Sequence, residues 1–246
     1  MNTRNLYQVF IVVVIFLGHP VVWAEDTFSV QSKAQSAYFE GNATQLKALS
    51  GSSAAAASST DPRELYTAAY VQFRALQLSI ISKRMAEAEK YGDLCVDILS
   101  SAIKRNPKFV EAFTLQSACY GYMTNLGGMA AIRNGSRSGK SIQAALALDL
   151  RNPRTLLIDG FGVYFRPKFV GGDKVKGCAR FREAAALFDA GGTAANLNAE
   201  WGAPEAHYWV GRCAKDNNDL LLARKEFERA LALAPNFGAA QRALAR

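Results

Sequence analysis

Histidine is nearly missing from this chain: His19 and His207 are the only two among 246 residues. That excludes a multi-histidine metal site, and it leaves a Ser-His-Asp or Cys-His nucleophile hard to assemble. No CxxC pair occurs among the four cysteines, so a thiolate metal site has no starting motif either. Strand-like alternation is scarce and alanine is abundant, which points to helices. No nucleic-acid signature of the RNP or helix-turn-helix type is present. The net charge of +8 comes from Lys and Arg scattered along helix faces. It reads as a solvated basic surface, and no nucleic-acid partner is expected. No carboxylate is flanked by a glycosidase or protease signature. The chain is not expected to be an enzyme.

One stretch imitates a phosphate loop. Gly135-Ser136-Arg137-Ser138-Gly139-Lys140-Ser141 has one residue too few between its glycines, and no apolar strand precedes it. It reads instead as an enlarged turn, with Ser138 opening the following helix. No cofactor is expected.

The N-terminus carries an export pattern. Arg4 precedes an apolar run over 9–17, then Gly18, His19 and Pro20 break it, and Val22-Trp23-Ala24 supplies small residues at the cleavage places. The run is shorter than the roughly 20 apolar residues a bilayer span needs. Residues 1–24 are therefore expected to be a signal peptide, and no cysteine lies nearby to carry a lipid. The mature product is expected to be periplasmic or secreted and not an integral membrane protein. Residues 25–60 form a separate N-terminal segment: a part able to form two short helices, then a Ser/Ala-rich linker. Asp61-Pro62-Arg63-Glu64 combines an N-cap, a first-turn proline and a capping-box glutamate, so a long helix should begin there.

The last forty or so residues carry a full helix-turn-helix repeat signature. Gly211 and Ala223 are small where two helices cross, Phe227 fills the gap beside them, Ala230 lets the next unit dock, and Pro235 stops the second helix. This pattern resembles the tetratricopeptide (TPR) repeat family. Weaker copies lie upstream: Gly160, Gly177, Phe181 and Ala184 in one unit, then Phe113, Ser117, Tyr120, Ser138, Ile142 and Ala145, then Cys95, Leu99, Ala102 and Pro107. Two units exceed the period of about 34 residues, one by about nine and one by about five in the turn 166–175. The stretches NPRTLLIDG, FRPKFVGGDK and WGAPEAHYWVG resemble a secreted bacterial subgroup of such proteins. The resemblance implies an all-α, right-handed solenoid over 61–246, built from about four hairpins and a capping helix at 237–246. His207 falls at a helix-facing place and is expected to pack.

By the same resemblance, first helices line a concave side that binds peptides or partner proteins. The places facing it include Glu111, Thr114, Gly121 and Tyr122, then Arg154, Leu157, Phe161, Tyr164 and Phe165, then Glu205, Tyr208, Arg212, Lys215 and Asp216. Tyr122, Arg154, Phe161, Tyr164, Phe165, Tyr208, Arg212 and Lys215 are the candidate partner-binding residues, because aromatics and arginine dominate interface centres. Two alternatives stand beside this: the long turn buries Phe161 and Phe165, or the N-terminal segment fills the groove. The cysteines also admit two readings, four small core residues or the bridges Cys95–Cys119 and Cys178–Cys213. Each pair lies at similar heights on antiparallel neighbours, and an oxidising compartment permits the bond. The expected function is a non-enzymatic scaffold for a protein or peptide. The alternative is a solute-capturing transport accessory, similar to the TPR component of tripartite solute transporters. Intact-mass measurement of exported protein should give a chain starting at Glu25; a product retaining Met1 would exclude the leader.

Overall fold

The structure is a computed structural model that describes residues 27–53, 56–191 and 201–245. The expected leader lies outside the described residues. Among those described there are eleven α-helices and no strand.

Helix starts follow local chemistry. Asp61 accepts a hydrogen bond from the Arg63 backbone and opens α3 (Pro62–Ile81), with proline in its first turn. Asn152 does the same for α7 (Pro153–Phe165), Asp173 for α8 (Lys174–Asp189) and Asp219 for α10 (Leu220–Leu233). The remaining helices of the array are α4 (Met85–Arg105), α5 (Val110–Met123), α6 (Gly128–Leu148), α9 (Ala203–Asp216) and the cap α11 (Gly238–Leu244). α3/α4, α5/α6, α7/α8 and α9/α10 pack as hairpins, and neighbouring hairpins stack into a TPR-like solenoid.

The same small-to-large contact recurs in the third and fourth hairpins. A Cβ added at Gly211 would stand 2.7 Å from the Phe227 ring, and one at Gly160 would stand 2.7 Å from the Phe181 ring. Both glycines are places where a helix pair closes to ring contact. Both disulfides tie one hairpin to the next: Cys95–Cys119 joins α4 to α5 and Cys178–Cys213 joins α8 to α9.

One expectation is corrected. Ser138 does not open a helix; α6 starts ten residues earlier, at Gly128, and Ser138 lies inside it. The extra residues lengthen the helix instead of the turn. The reversal is made by a 3₁₀ turn at Thr124–Leu126 and by Gly127 at φ 79°. Ser138 then meets Ser117 of α5 through Oγ and backbone hydrogen bonds of 2.9–3.1 Å, so its polar group is satisfied between the helices.

Two further helices precede the array, α1 (Thr27–Glu40) and α2 (Ala43–Ser52), and both pack on α3. α3 is consequently buried on every face from Leu65 to Ser79. No helix among the described residues is long and apolar enough to cross a membrane.

Gly211→Leu and Gly160→Leu should each lower stability by about 1–3 kcal/mol, because the rings opposite cannot yield without repacking. Thermal melts followed by circular dichroism check this. An unchanged melting temperature would show that the helix crossings are looser than described.

Candidate functional site

The concave side divides into a filled interior and a partly open rim. α1 lies across the interior. Gln31 Nε2 donates to Thr67 Oγ1 at 2.8 Å, and the Tyr70 hydroxyl donates to Gln35 at 3.2 Å. At its far end Phe39 stacks on Phe237, with ring centres 4.1 Å apart. Asn236 donates to Ser36 and Glu40 at 2.6 and 2.8 Å. One helix thus spans from α3 to the chain's last turn. Trp201 enters the same space; its indole N–H donates to the Tyr66 hydroxyl at 2.9 Å, and its ring packs near Tyr70 and Phe73.

Two arginines sit between these layers, each about 1 % exposed. Arg74 donates to the Tyr70 hydroxyl and to Gln77 at 2.8 Å, and to Glu205 at 2.5 Å. Arg154 donates to the Trp201 carbonyl at 2.9 Å and to Glu111 at 3.2 Å, while Asn152 also donates to Glu111. Burial opposes the Arg74 charge, but Tyr70, Glu205 and Tyr38 outweigh it and hold the guanidinium protonated. Burial also pushes the Tyr38, Tyr66 and Tyr70 hydroxyls well above their usual range, so these groups stay neutral donors and acceptors. Of the sequence candidates, Arg154 and Tyr122 belong to this interior. Tyr122 meets Phe73 edge-on, and burial raises its hydroxyl as well. Neither Arg74 nor Trp201 was singled out by sequence reasoning. The available signal for Arg74 was one cation inside a long apolar helical run.

The other candidates gather on the rim, where α7 faces α9. Phe161 and Phe165 meet the Trp209 ring edge-on at 5.3 and 5.2 Å, and Tyr208 meets it at 5.7 Å. The Arg212 guanidinium stands 5.6 Å from the Trp209 ring centre and donates to the Tyr208 hydroxyl at 3.1 Å. That hydrogen bond is the main reason its charged form is favoured further. The Tyr164 hydroxyl donates to Asp216 at 3.0 Å beneath this layer. Phe161, Tyr208, Trp209, Arg212 and Lys215 are half-buried. Phe165 is 61 % exposed, so the long turn does not cover it. Trp209 was missed because it falls one place off the expected inward positions. Its spacing from Arg212, three residues along one helix, was the readable clue.

His207 is buried, with Nδ1 2.7 Å from Glu226 and Nε2 3.4 Å from Asp189. Among the described residues no group of three potential ligands could hold a metal.

Neither a family model nor a curated protein matches the chain. Solved structures do. One is the HusA haemophore from Porphyromonas gingivalis, at 18 % identity and a TM-score of 0.66, covering 81 % of this chain and 96 % of that one. Another is a thermophilic TPR protein of Thermus thermophilus, at 13 % identity and a TM-score of 0.50, covering 89 % of this chain and 100 % of that one. Identities this low establish likeness of fold. The TPR-like helical build therefore rests on both the geometry and its neighbours.

Arg74→Ala or Glu205→Ala should each cost about 3–5 kcal/mol, since either leaves a buried charge unpaired. The double change Arg74→Met with Glu205→Leu should cost much less than the two singles combined. Denaturant unfolding of the three variants measures this, and additive losses would mean that the two groups are not coupled.

Proposed function

We propose that this protein is an exported, non-enzymatic scaffold that captures a protein or peptide at the rim between its third and fourth hairpins. The observation that carries this reading is the partly exposed cluster of Phe161, Phe165, Tyr208, Trp209 and Arg212. Rigid rings with an arginine laid beside them make the composition of an interface hot spot, and the helices beneath fix their geometry before any partner arrives. Lys215 on the same helix adds a cation at the edge. The deeper concave residues, Arg154 and Tyr122, serve the interior, and the 25–60 segment acts as its filling while 61–246 forms the repeat array. Export is supported by the leader pattern and by the two disulfides.

A second reading, capture of a flat apolar solute, draws on the same exposed rings. The fold likeness to a haemophore makes haem the first probe to try. Iron ligation would not come from His207, which is buried against Glu226.

The experiment is capture from a periplasmic extract by wild type and by Trp209→Ala with Arg212→Ala. The double variant should lose the partner by a factor of about 30 or more, corresponding to about 2 kcal/mol or more for hot-spot truncation, with helical content unchanged. Undiminished capture would remove the rim as the site. A haem-dependent absorbance change abolished by the same variant would favour the solute reading instead.

A further inference from the structure

Exposed apolar side chains are distributed unevenly over the solenoid. In stacked antiparallel hairpins every turn within a hairpin lies along one edge, and every turn between hairpins lies along the other. Leaving aside Phe165 of the rim cluster, nine of the fourteen exposed large apolar residues among those described sit at the within-hairpin turns. Ile81 ends α3, and Met129 lies at the start of α6, 78 % exposed. Phe169 projects from the 3₁₀ turn at Lys168–Val170 and is 89 % exposed. Leu221 lies in the first turn of α10 and is 86 % exposed. Four successive turns therefore each present an apolar tip.

The charge along this edge has one sign to spare. Its carboxylates keep their charge but have local partners and are outnumbered by the cations of the same turns: Asp173 and Asp219 cap helices, Asp216 accepts from Tyr164, and Glu87 pairs with Arg84. Lys83, Arg133 and Lys168 are exposed and make no ion pair among the described residues. Apolar pegs interleaved with unpaired cations suit a surface that is anionic at its face and apolar just beneath. Separate pegs at turn tips also lack the contiguous, shape-complementary patch that a protein partner requires. We infer that this edge docks the protein on an anionic phospholipid surface, with the tips inserted at headgroup depth and the cations against the phosphates. The rim cluster around Trp209 is then left free for a soluble partner.

Sedimentation of the full chain with phosphatidylcholine vesicles containing about a quarter phosphatidylglycerol tests this. Binding should be at least tenfold stronger than to pure phosphatidylcholine and should weaken as salt rises from about 0.05 to 0.5 M. Phe169→Ser with Leu221→Ser should reduce it at least tenfold, and Lys83→Glu with Lys168→Glu should remove the preference for the anionic vesicles. All four positions are exposed turn sites, and an unchanged melt verifies the fold of each variant. Leu148→Ser with Leu150→Ser, on the opposite edge, should change nothing, and neither should Trp209→Ala with Arg212→Ala. The proposal is overturned if wild type ignores anionic vesicles at low salt, if the tip variants bind as wild type, or if both edges respond equally. It is equally overturned if the tip variants lose a captured protein and no lipid binding exists.

Discussion

A guanidinium removed from water must meet an anion, and Arg74 meets Glu205 across a sequence separation of 131 residues. This contact ties the first hairpin's long helix to the opening of the fourth hairpin. Everything concave adapts to it. Tyr70 and Gln77 satisfy the remaining donors, Tyr38 lies 4.7 Å from the guanidinium carbon, and Trp201 closes the space above. A pair buried this deeply gives specificity more readily than net stability, since desolvation consumes most of the Coulombic gain. Here the pair brings α3, α9 and the filling helix α1 to one place.

The filling itself follows from composition. α1 has an alternation of small residues, Ala34 and Ala37, with the large Tyr38 and Phe39 beside them. The alanines allow close approach to α3, and the two rings reach the arginine and the capping residue Phe237. The helix is a ligand in cis, bound in the helix-in-groove manner that repeat arrays offer to partners. With this space filled in cis, the aromatic side chains still open to solvent lie further out, at the rim and the turn edge.

Much of this was legible from residues alone, and the losses have physical causes. The Gly211–Phe227 crossing and its copy at Gly160–Phe181 were readable because steric demand leaves a fixed small-to-large spacing. The heights of Cys95, Cys119, Cys178 and Cys213 were readable for the same reason, and the structure bonds them in the pairs Cys95–Cys119 and Cys178–Cys213. The start of α6 was not readable. Ser138 carries a good N-cap side chain, but it is satisfied by Ser117 across the hairpin, a tertiary partner that local propensity cannot see. The site was legible in outline only. Inward position on a first helix brought out Phe161, Tyr164, Tyr208 and Arg212, yet the same rule offered Arg154 to a partner, and Arg154 is instead buried and donates to the Trp201 carbonyl. Occupancy is a property of distant chain segments, and periodicity within a repeat carries no trace of it.

The division between interior and surface also explains why aromatic residues serve two roles here without conflict. Those around Arg74 have their hydroxyls or indole N–H bonded inward and their faces covered, so they are spent on holding the superhelix closed. Those around Trp209 are only half-buried, and Phe165 has most of its surface in water. Exposed rings on a rigid support lose little entropy on binding, because their rotamers are already set by edge-on contacts with their neighbours. The turn beyond them is also fixed rather than slack. Its Gly172 has no room for a Cβ against the Arg166 carbonyl, and the Asp173 backbone donates to Val163 at 2.9 Å. The insertion that lengthens the third hairpin is therefore a built projection, and its backbone geometry is what holds Phe169 out into solvent.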